Sequence, residues 1–281
     1  MDLKAVKEAV GSLGKIPDNI YNDLFQPATK KAGKALETVL DLSNTILLPI
    51  KLLNLLADSK ISVFEHNIRK YEENLKNIQP ESLTEVRPEL GLPIIDKLTY
   101  TTNEYLSDLF INLLTSGSKI ETQGFAHPSF VTLITNLSVD EAQILHFLSN
   151  VILNKRDNTI PCIWYELEDN ATKGIMPLSS PKTGLEEELD LLFPESMTFY
   201  LQNLEIQGIL LFHPREMVDK EEIYTNLEEQ YNHEFEEALD VVRSAKGCNN
   251  TPICEKGYYQ LTDFGKKFIA VAVNKKMQQY I

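Results

Sequence analysis

The chain has 281 residues, 43% of them hydrophobic and 24% charged, with a formal net charge of −14 at pH 7. That length holds one large domain or two ordinary ones, and the composition is that of a folded protein rather than a disordered one. The acidic balance excludes a whole-molecule electrostatic footprint for nucleic acid, and an odd count of three cysteines, Cys162, Cys248 and Cys254, gives no disulfide framework.

The charge is unevenly placed. Residues 1–80 hold 11 Lys/Arg and 10 Asp/Glu (+1), whereas residues 81–281 hold 16 and 31 (−15). Such asymmetry suggests two parts with different surroundings. No long apolar stretch followed by a cleavage site opens the chain, so no signal peptide is predicted and a reducing cytoplasm is the expected home.

Residues 3–24 carry a weak helical pattern, interrupted by Gly11, Gly14 and Pro17. From Ala28 to about Asn77 the pattern strengthens. Apolar residues at Ala32, Ala35, Leu36, Val39 and Leu40, then Ile46, Leu48, Ile50, Leu52, Leu55 and Leu56, step by three and four along one broad face. Pro49 lacks a donor and clashes with the turn before it, so a joint is predicted at Leu48-Pro49, with a further break near Asp58-Ser59. The following stretch, Ile61 to Leu75, is expected to turn Arg69, Lys70, Glu72 and Glu73 to solvent.

Pro80, Pro88, Gly91 and Pro93 mark a connector around Leu83–Leu92. Thr101-Thr102-Asn103-Glu104 is a capping box that opens a helix bearing Leu106, Leu109, Phe110, Leu113 and Leu114 and ending near Ser116-Gly117. Two further helix starts follow. His127-Pro128 opens one, with Pro128 in the first turn, where a missing N–H costs nothing. Ser138-Val139-Asp140-Glu141 opens the next, with Ser138 as N-cap and Glu141 reaching back.

The last third changes character. Ile160 to Glu166 is short and rich in strand formers, Glu195 to Leu204 is helical, Gly208 to Phe212 is strand-like and stops at Pro214, and Lys220 to Ser244 is charged and helical in part. Tyr258 to Leu261 is a second strand, after which Thr262 caps a last helix from Asp263 to about Gln278. Helix, helix, strand, insertion, strand, helix is the order of a winged-helix unit with an enlarged wing. The predicted fold is therefore mainly α: an N-terminal helical hairpin or bundle followed by a small α+β winged-helix-like module. The expected divisions are 1–80, a long kinked helical region; 81–154, a helical middle; and 155–281, the winged module.

Four blocks of the chain carry a family resemblance. The first is Tyr21-x-x-Leu24-x-x-Pro27-Ala28 with Gly33-Lys34-Ala35-Leu36; the second is Leu48-Pro49-x-x-Leu52 running into Leu55 and on to Ile78-x-Pro80. The third joins Leu106-x-x-Leu109-Phe110-x-x-Leu113-Leu114 to His127-Pro128-Ser129-Phe130 and Leu137-Ser138-x-Asp140-Glu141-Ala142. The fourth is Tyr259-x-Leu261-Thr262-x-x-Gly265-x-x-Phe268. In this order the blocks resemble the abortive infection alpha family of bacterial anti-phage proteins. The resemblance implies a cytoplasmic bacterial protein that limits phage propagation, often at the host cell's expense, and it carries over no catalytic residues. His127, Pro128, Phe130, Ser138, Glu141, Leu261, Thr262, Gly265 and Phe268 are its motif positions, read as structural. Residues 155–258 match it least.

Catalytic signatures are missing. No Walker-type or dinucleotide-binding glycine loop occurs, nor a G-x-S-x-G elbow. His127, beside Pro128 at a helix start, is better read as a cap than as a ligand, since no Cys or second His stands at metal spacing. His233-Glu234-x-Glu236-Glu237 is not a zinc motif, because Glu237 stands where the second His belongs; a solvated charged helix explains it. Cys248 and Cys254 sit in a polar stretch, a pair of free thiols without the further ligands zinc requires. No cofactor and no metal are expected.

The apolar face of Leu36–Ala57 is the sharpest functional candidate. A bilayer span needs about 20 consecutive mainly apolar residues, and Glu37, Asp41, Pro49 and Lys51 interrupt this one. Packing in the core is the bland reading; lying on a membrane surface or pairing with a partner helix is the functional one. Lys30, Lys31, Lys34, Lys51 and Lys60 make the neighbourhood locally basic, and Leu48, Ile50, Lys51, Leu52 and Leu55 are its candidate contacts. The expected role is a non-enzymatic effector or sensor working through helix-mediated contacts with a protein partner, a phage component or the inner-membrane periphery, with a homodimer as one way to pair the apolar face. A metal-dependent nuclease and a winged-helix DNA-binding regulator stay open, although Glu195–Leu204 has no Lys or Arg and phosphate contacts need cations.

Overall fold

The computed structural model describes residues 58–155, 157–170, 172–246, 250–273 and 276. The expectations placed on residues 3–57, including the Pro49 joint and the contacts Leu48, Ile50, Lys51, Leu52 and Leu55, lie outside the described residues. The described chain is mainly helical with one small antiparallel sheet. It divides into two compact units, one drawn from Met1–Val139 and Phe268–Ile281, the other spanning Asp140–Lys267.

Among its described residues the first unit holds α1, Asp58–Lys76; α2, Pro88–Leu98; α3, Glu104–Gly117; and α4, Ser129–Thr135. Phe64, Ile68, Tyr71 and Leu75 recur at helical spacing on α1 and are buried. Tyr71 Oη and Ser118 Oγ lie 2.7 Å apart, and Asn67 Nδ2 donates to the carbonyls of Leu98 and Thr101 at the end of α2, where helical carbonyls lack partners of their own.

Three expectations are corrected here. The connector around Leu83–Leu92 is in its second half a helix. Pro88 takes its first position and Leu90, Gly91, Ile94, Ile95 and Leu98 bury one side, even with Pro93 inside. Burial along that side outweighs the hydrogen bond that Pro93 forfeits. The cap of α3 is Asn103, whose side chain accepts from Leu106 N at 3.3 Å, rather than Thr101. Thr101 Oγ1 instead donates to Lys97 O at 2.8 Å, closing the end of α2. Glu72, expected in solvent, is 6% exposed. Its Oε1 has no hydrogen-bond partner among the described residues, and burial pushes its carboxyl pKa up.

Gly117 ends α3 for a packing reason. A Cβ there would stand 2.5 Å from Leu90 Cδ2, so the missing side chain lets α2 lie close to α3. The unit is completed by a π-helical turn, Ile269–Val273, whose five apolar residues are all buried. Ser116 Oγ donates to Val271 O at 2.8 Å, tying the turn to α3.

The second unit holds α5, Val139–Lys155, followed by strands β1, Thr159–Asp169, and β2, Ile175–Pro177. A single turn α6, Leu185–Glu188, and a 3-10 turn, Pro194–Ser196, lead into α7, Met197–Ile206. Strand β3, Leu210–Pro214, is joined to β4, Asn250–Leu261, by the 26-residue helix α8, Glu221–Lys246. Helix α9, Asp263–Phe268, then returns the chain to the first unit. The sheet order is β2-β1-β4-β3, antiparallel throughout.

After α7 the chain runs through β3, α8, β4 and α9 in that order, and β1 and β4 are longer than expected. β1 and β4 pair along eleven residues, from Thr159 opposite Gln260 to Asp169 opposite Asn250. Cys254, placed by the sequence in a polar stretch, lies in β4 opposite Tyr165. Gly257 makes the sheet possible at its centre, because a Cβ there would meet the Trp164 ring at 3.0 Å and His213 O at 2.8 Å. Helix α8 packs Tyr224, Leu227 and Tyr231 on Ile163 and Tyr165. The last helix stops short of its expected end, since regular α geometry closes at Phe268 and the π-helical turn follows.

Candidate functional site

A groove of about 770 Å³ opens in the second unit. Its floor comes from β1 through Tyr165, one wall from residues 178–187, the opposite wall from Pro194 to Gln202, and its far side from α8. Tyr231, Glu234, Phe235 and Ala238 supply that side at spacings of three, four and seven, one face of a helix. The volume falls within the roughly 300–1,000 Å³ of small-molecule and cofactor sites.

Local structure fixes the lining. Lys182 exchanges both backbone hydrogen bonds with Ile163, at 2.7 and 3.0 Å, which ties the 178–182 segment to the edge of β1. Thr183 caps α6: its Oγ1 accepts from Leu185 N at 3.2 Å and donates to Glu186 Oε2 at 2.8 Å, with Gly184 in the left-handed region at φ 80°. The other wall hangs on Asp140 at the start of α5. This buried carboxylate accepts from Leu192 N, Phe193 N and Tyr200 Oη at 2.9, 3.1 and 2.7 Å. Burial alone would raise its pKa, but these three hydrogen bonds more than offset it and hold the carboxyl below its ordinary value.

The interior is aromatic and the rim acidic. Tyr165 and Phe235 stack with centroids 3.9 Å apart. Lys182 Nζ lies 5.1 Å from the centre of the Tyr231 ring and 2.7 Å from Glu234 Oε1, a cation held by a ring face and a carboxylate. Glu186, Glu187 and Glu195 line the same space, and Phe199 stands 66% exposed at its edge. The Tyr231 hydroxyl is buried, and burial, the nearby Glu186 charge and a hydrogen bond to Glu186 raise its pKa. Burial raises that of Tyr165 too. Both phenols are neutral at physiological pH.

The other chemical candidates resolve individually. Burial pushes the Cys162 thiol up to about 12, and Cys254 also up, the direction of inert thiols. Cys248 lies outside the described residues. His233 and Glu237 stand 3.7 Å apart on the exposed side of α8, the solvated helix pair expected of them. Among the described residues, no three His, Cys, Asp or Glu side chains are grouped to hold a metal ion.

The motif residues lie elsewhere. His127 Nδ1 accepts from Ser129 N at 3.1 Å and lies 2.7 Å from Ser129 Oγ, a cap on α4 next to Pro128. Phe130 and Phe268, from blocks far apart in sequence, meet edge to face at 5.2 Å. Ser138 precedes α5 and is exposed, whereas Glu141 is buried and accepts from Asn203 Nδ2 at 2.6 Å. Leu261 is buried. Thr262 Oγ1 donates to Gly208 O at 2.6 Å and accepts from Gly265 N at 2.9 Å. None of these nine residues lines the groove. The groove residues were not anticipated from sequence; the spacing of Tyr231, Glu234, Phe235 and Ala238 was their one legible signal.

The family model for abortive infection alpha matches residues 63–272. The chain belongs to the abortive infection alpha family. The family resemblance is thereby borne out, with the third and fourth motif blocks inside the matched span, and the family's description ties the chain to abortive infection, a defence against phage. The groove lies inside the matched span, between the third and fourth motif blocks. No curated protein matches the chain. Among solved structures, an uncharacterized protein from the hydrocarbon-degrading marine bacterium Alcanivorax borkumensis SK2 is similar at 12% identity and a TM-score of 0.31, over 52% of this chain and 92% of that one. Among the described residues no helix is long and apolar enough to cross a membrane.

Proposed function

We propose that this member of the abortive infection alpha family is a non-enzymatic effector or sensor of phage infection, acting in the cytoplasm by docking a protein partner in the groove of its second unit. One observation supports this reading above the others: a concavity of about 770 Å³ in the second unit is lined by aromatic side chains and carboxylates, with its phenols held neutral. Such a lining suits recognition of a polypeptide better than turnover of a substrate. In this reading the unit α7–β3–α8–β4–α9 is a winged-helix-like module whose enlarged wing is α8, used for protein contact. Helix α7 carries no Lys or Arg, and phosphate backbones are held by cations, so DNA is a poor fit.

The test is protection in cells. Phe199→Ser and Ala238→Arg each alter the groove at positions that are exposed or half-buried. Expressed at wild-type level with an unchanged melting curve, each should abolish the drop in phage plating efficiency. Full protection by both folded variants would overturn the docking reading.

A further inference from the structure

We infer that the groove's occupant is a cationic amphipathic segment of a partner protein. Its ammonium or guanidinium groups would sit among Glu186, Glu187, Glu195 and Tyr231, and its apolar side chains against Met197, Phe199 and Phe235. This rests on the docking reading above and gives that partner a chemistry.

Charge is the first ground. The second unit, Asp140–Lys267, holds 24 Asp/Glu against 11 Lys/Arg, or −13 of the chain's −14. The groove repeats the imbalance locally, with four glutamates against one lysine, and that lysine is already paired with Glu234. Among the described residues Glu186, Glu187 and Glu195 have no ion pair. A field of one sign focused in a concave site attracts a partner of the other sign and repels anionic lipid or nucleic acid.

A second ground is independent of net charge. Tyr231, Phe235 and Phe199 line the groove beside its carboxylates, so an incoming cation meets aromatic rings as well as negative charge. Lys182 already demonstrates how this lining holds a cation: Nζ over the Tyr231 ring at 5.1 Å and against Glu234 at 2.7 Å. A chain carrying both basic and apolar side chains also matches the exposed Phe199 beside the carboxylates.

The test uses full-length protein and three synthetic helical peptides: one with a lysine and a leucine face, one with glutamate replacing lysine, and one with serine replacing leucine. Titration calorimetry should show binding of the lysine–leucine peptide only, weakening as salt is raised. Glu187→Gln with Glu195→Gln should weaken it about tenfold, and Phe199→Ser by a similar factor. No binding of that peptide, equal binding of the lysine–serine peptide, or unchanged affinity in the double variant would each overturn the proposal. So would capture by anionic vesicles that Phe199→Ser abolishes. Plating separates the two levels: protection lost in Phe199→Ser but kept in the double variant leaves the docking reading standing and removes the cationic partner. Protection kept in both removes the docking reading itself.

Discussion

Gly265 and Ile209 meet backbone to backbone, so closely that a Cβ on Gly265 would lie 2.4 Å from the Ile209 carbonyl oxygen and 2.8 Å from Leu261 Cδ1. The first turn of α9 is pressed onto the segment before β3, where Thr262 N also donates to Ile209 O at 3.0 Å. This is why a glycine stands three residues after the capping threonine. Gly265→Ala should therefore cost about 1–3 kcal/mol, the scale of overpacking, read as a fall in the urea midpoint at constant m-value. Gly124→Ala, with nothing within 4 Å of its would-be Cβ, should leave the midpoint in place.

Asp140 gives a pH prediction. Its folded pKa lies below the unfolded value, with burial opposed and outweighed by bonds from Leu192, Tyr200 and Phe193. A depressed carboxyl contributes stability above its unfolded pKa and loses it as pH falls through the folded one. The wild-type protein should accordingly lose this contribution below about pH 4. Asp140→Asn should be less stable by about 1–3 kcal/mol at pH 7, the scale of hydrogen bonds to a charged group. Its stability should fall less steeply in acid. Equal slopes for the two proteins between neutral and acid pH would remove the claim.

Thiol reactivity follows from burial. Cys162 is fully buried with its pKa pushed up to about 12, and only the thiolate attacks electrophiles. Iodoacetamide at pH 8 should leave Cys162 unmodified in the folded protein and label it in urea. Peptide mapping by mass spectrometry provides the readout.

The start of α3 separates two readings of one cap. Asn103→Ala should cost about 1 kcal/mol, the usual worth of an N-cap. Thr102→Ala, at an exposed position, should stay within about 0.5 kcal/mol of wild type. The reverse order would remove the cap from Asn103.

The helices were legible where polar caps and apolar spacing agreed, as at α3 and α9, and the β3 strand where Gly208 and Pro214 bracket an apolar run. Three kinds of information were hidden. Helix α2 was masked by Pro93 and Gly91, because propensity argues against a helix that burial of Leu90, Ile94 and Leu98 enforces. The first half of β4, Asn250 to Glu255, is polar and half-exposed. It is a strand because β1 offers it a continuous ladder, and a single segment does not display its partner's hydrogen bonds. The groove was least legible of all. Tyr165, Lys182, Phe199 and Tyr231 come from four chain segments, and only folding brings them to one concavity.

The route of the chain between the two units has a consequence for synthesis. The first unit is left at Val139 and rejoined at Phe268, after the 128 residues of Asp140–Lys267. Phe130 and its apolar neighbours emerge from the ribosome long before the Phe268 ring and the Ile269–Val273 turn that pack in the same unit. At the usual 5–20 residues per second, that interval is on the order of 10 s. A nascent chain thus carries an unfinished apolar surface through nearly half of its own translation, and the segment from Phe268 acts as its closing piece.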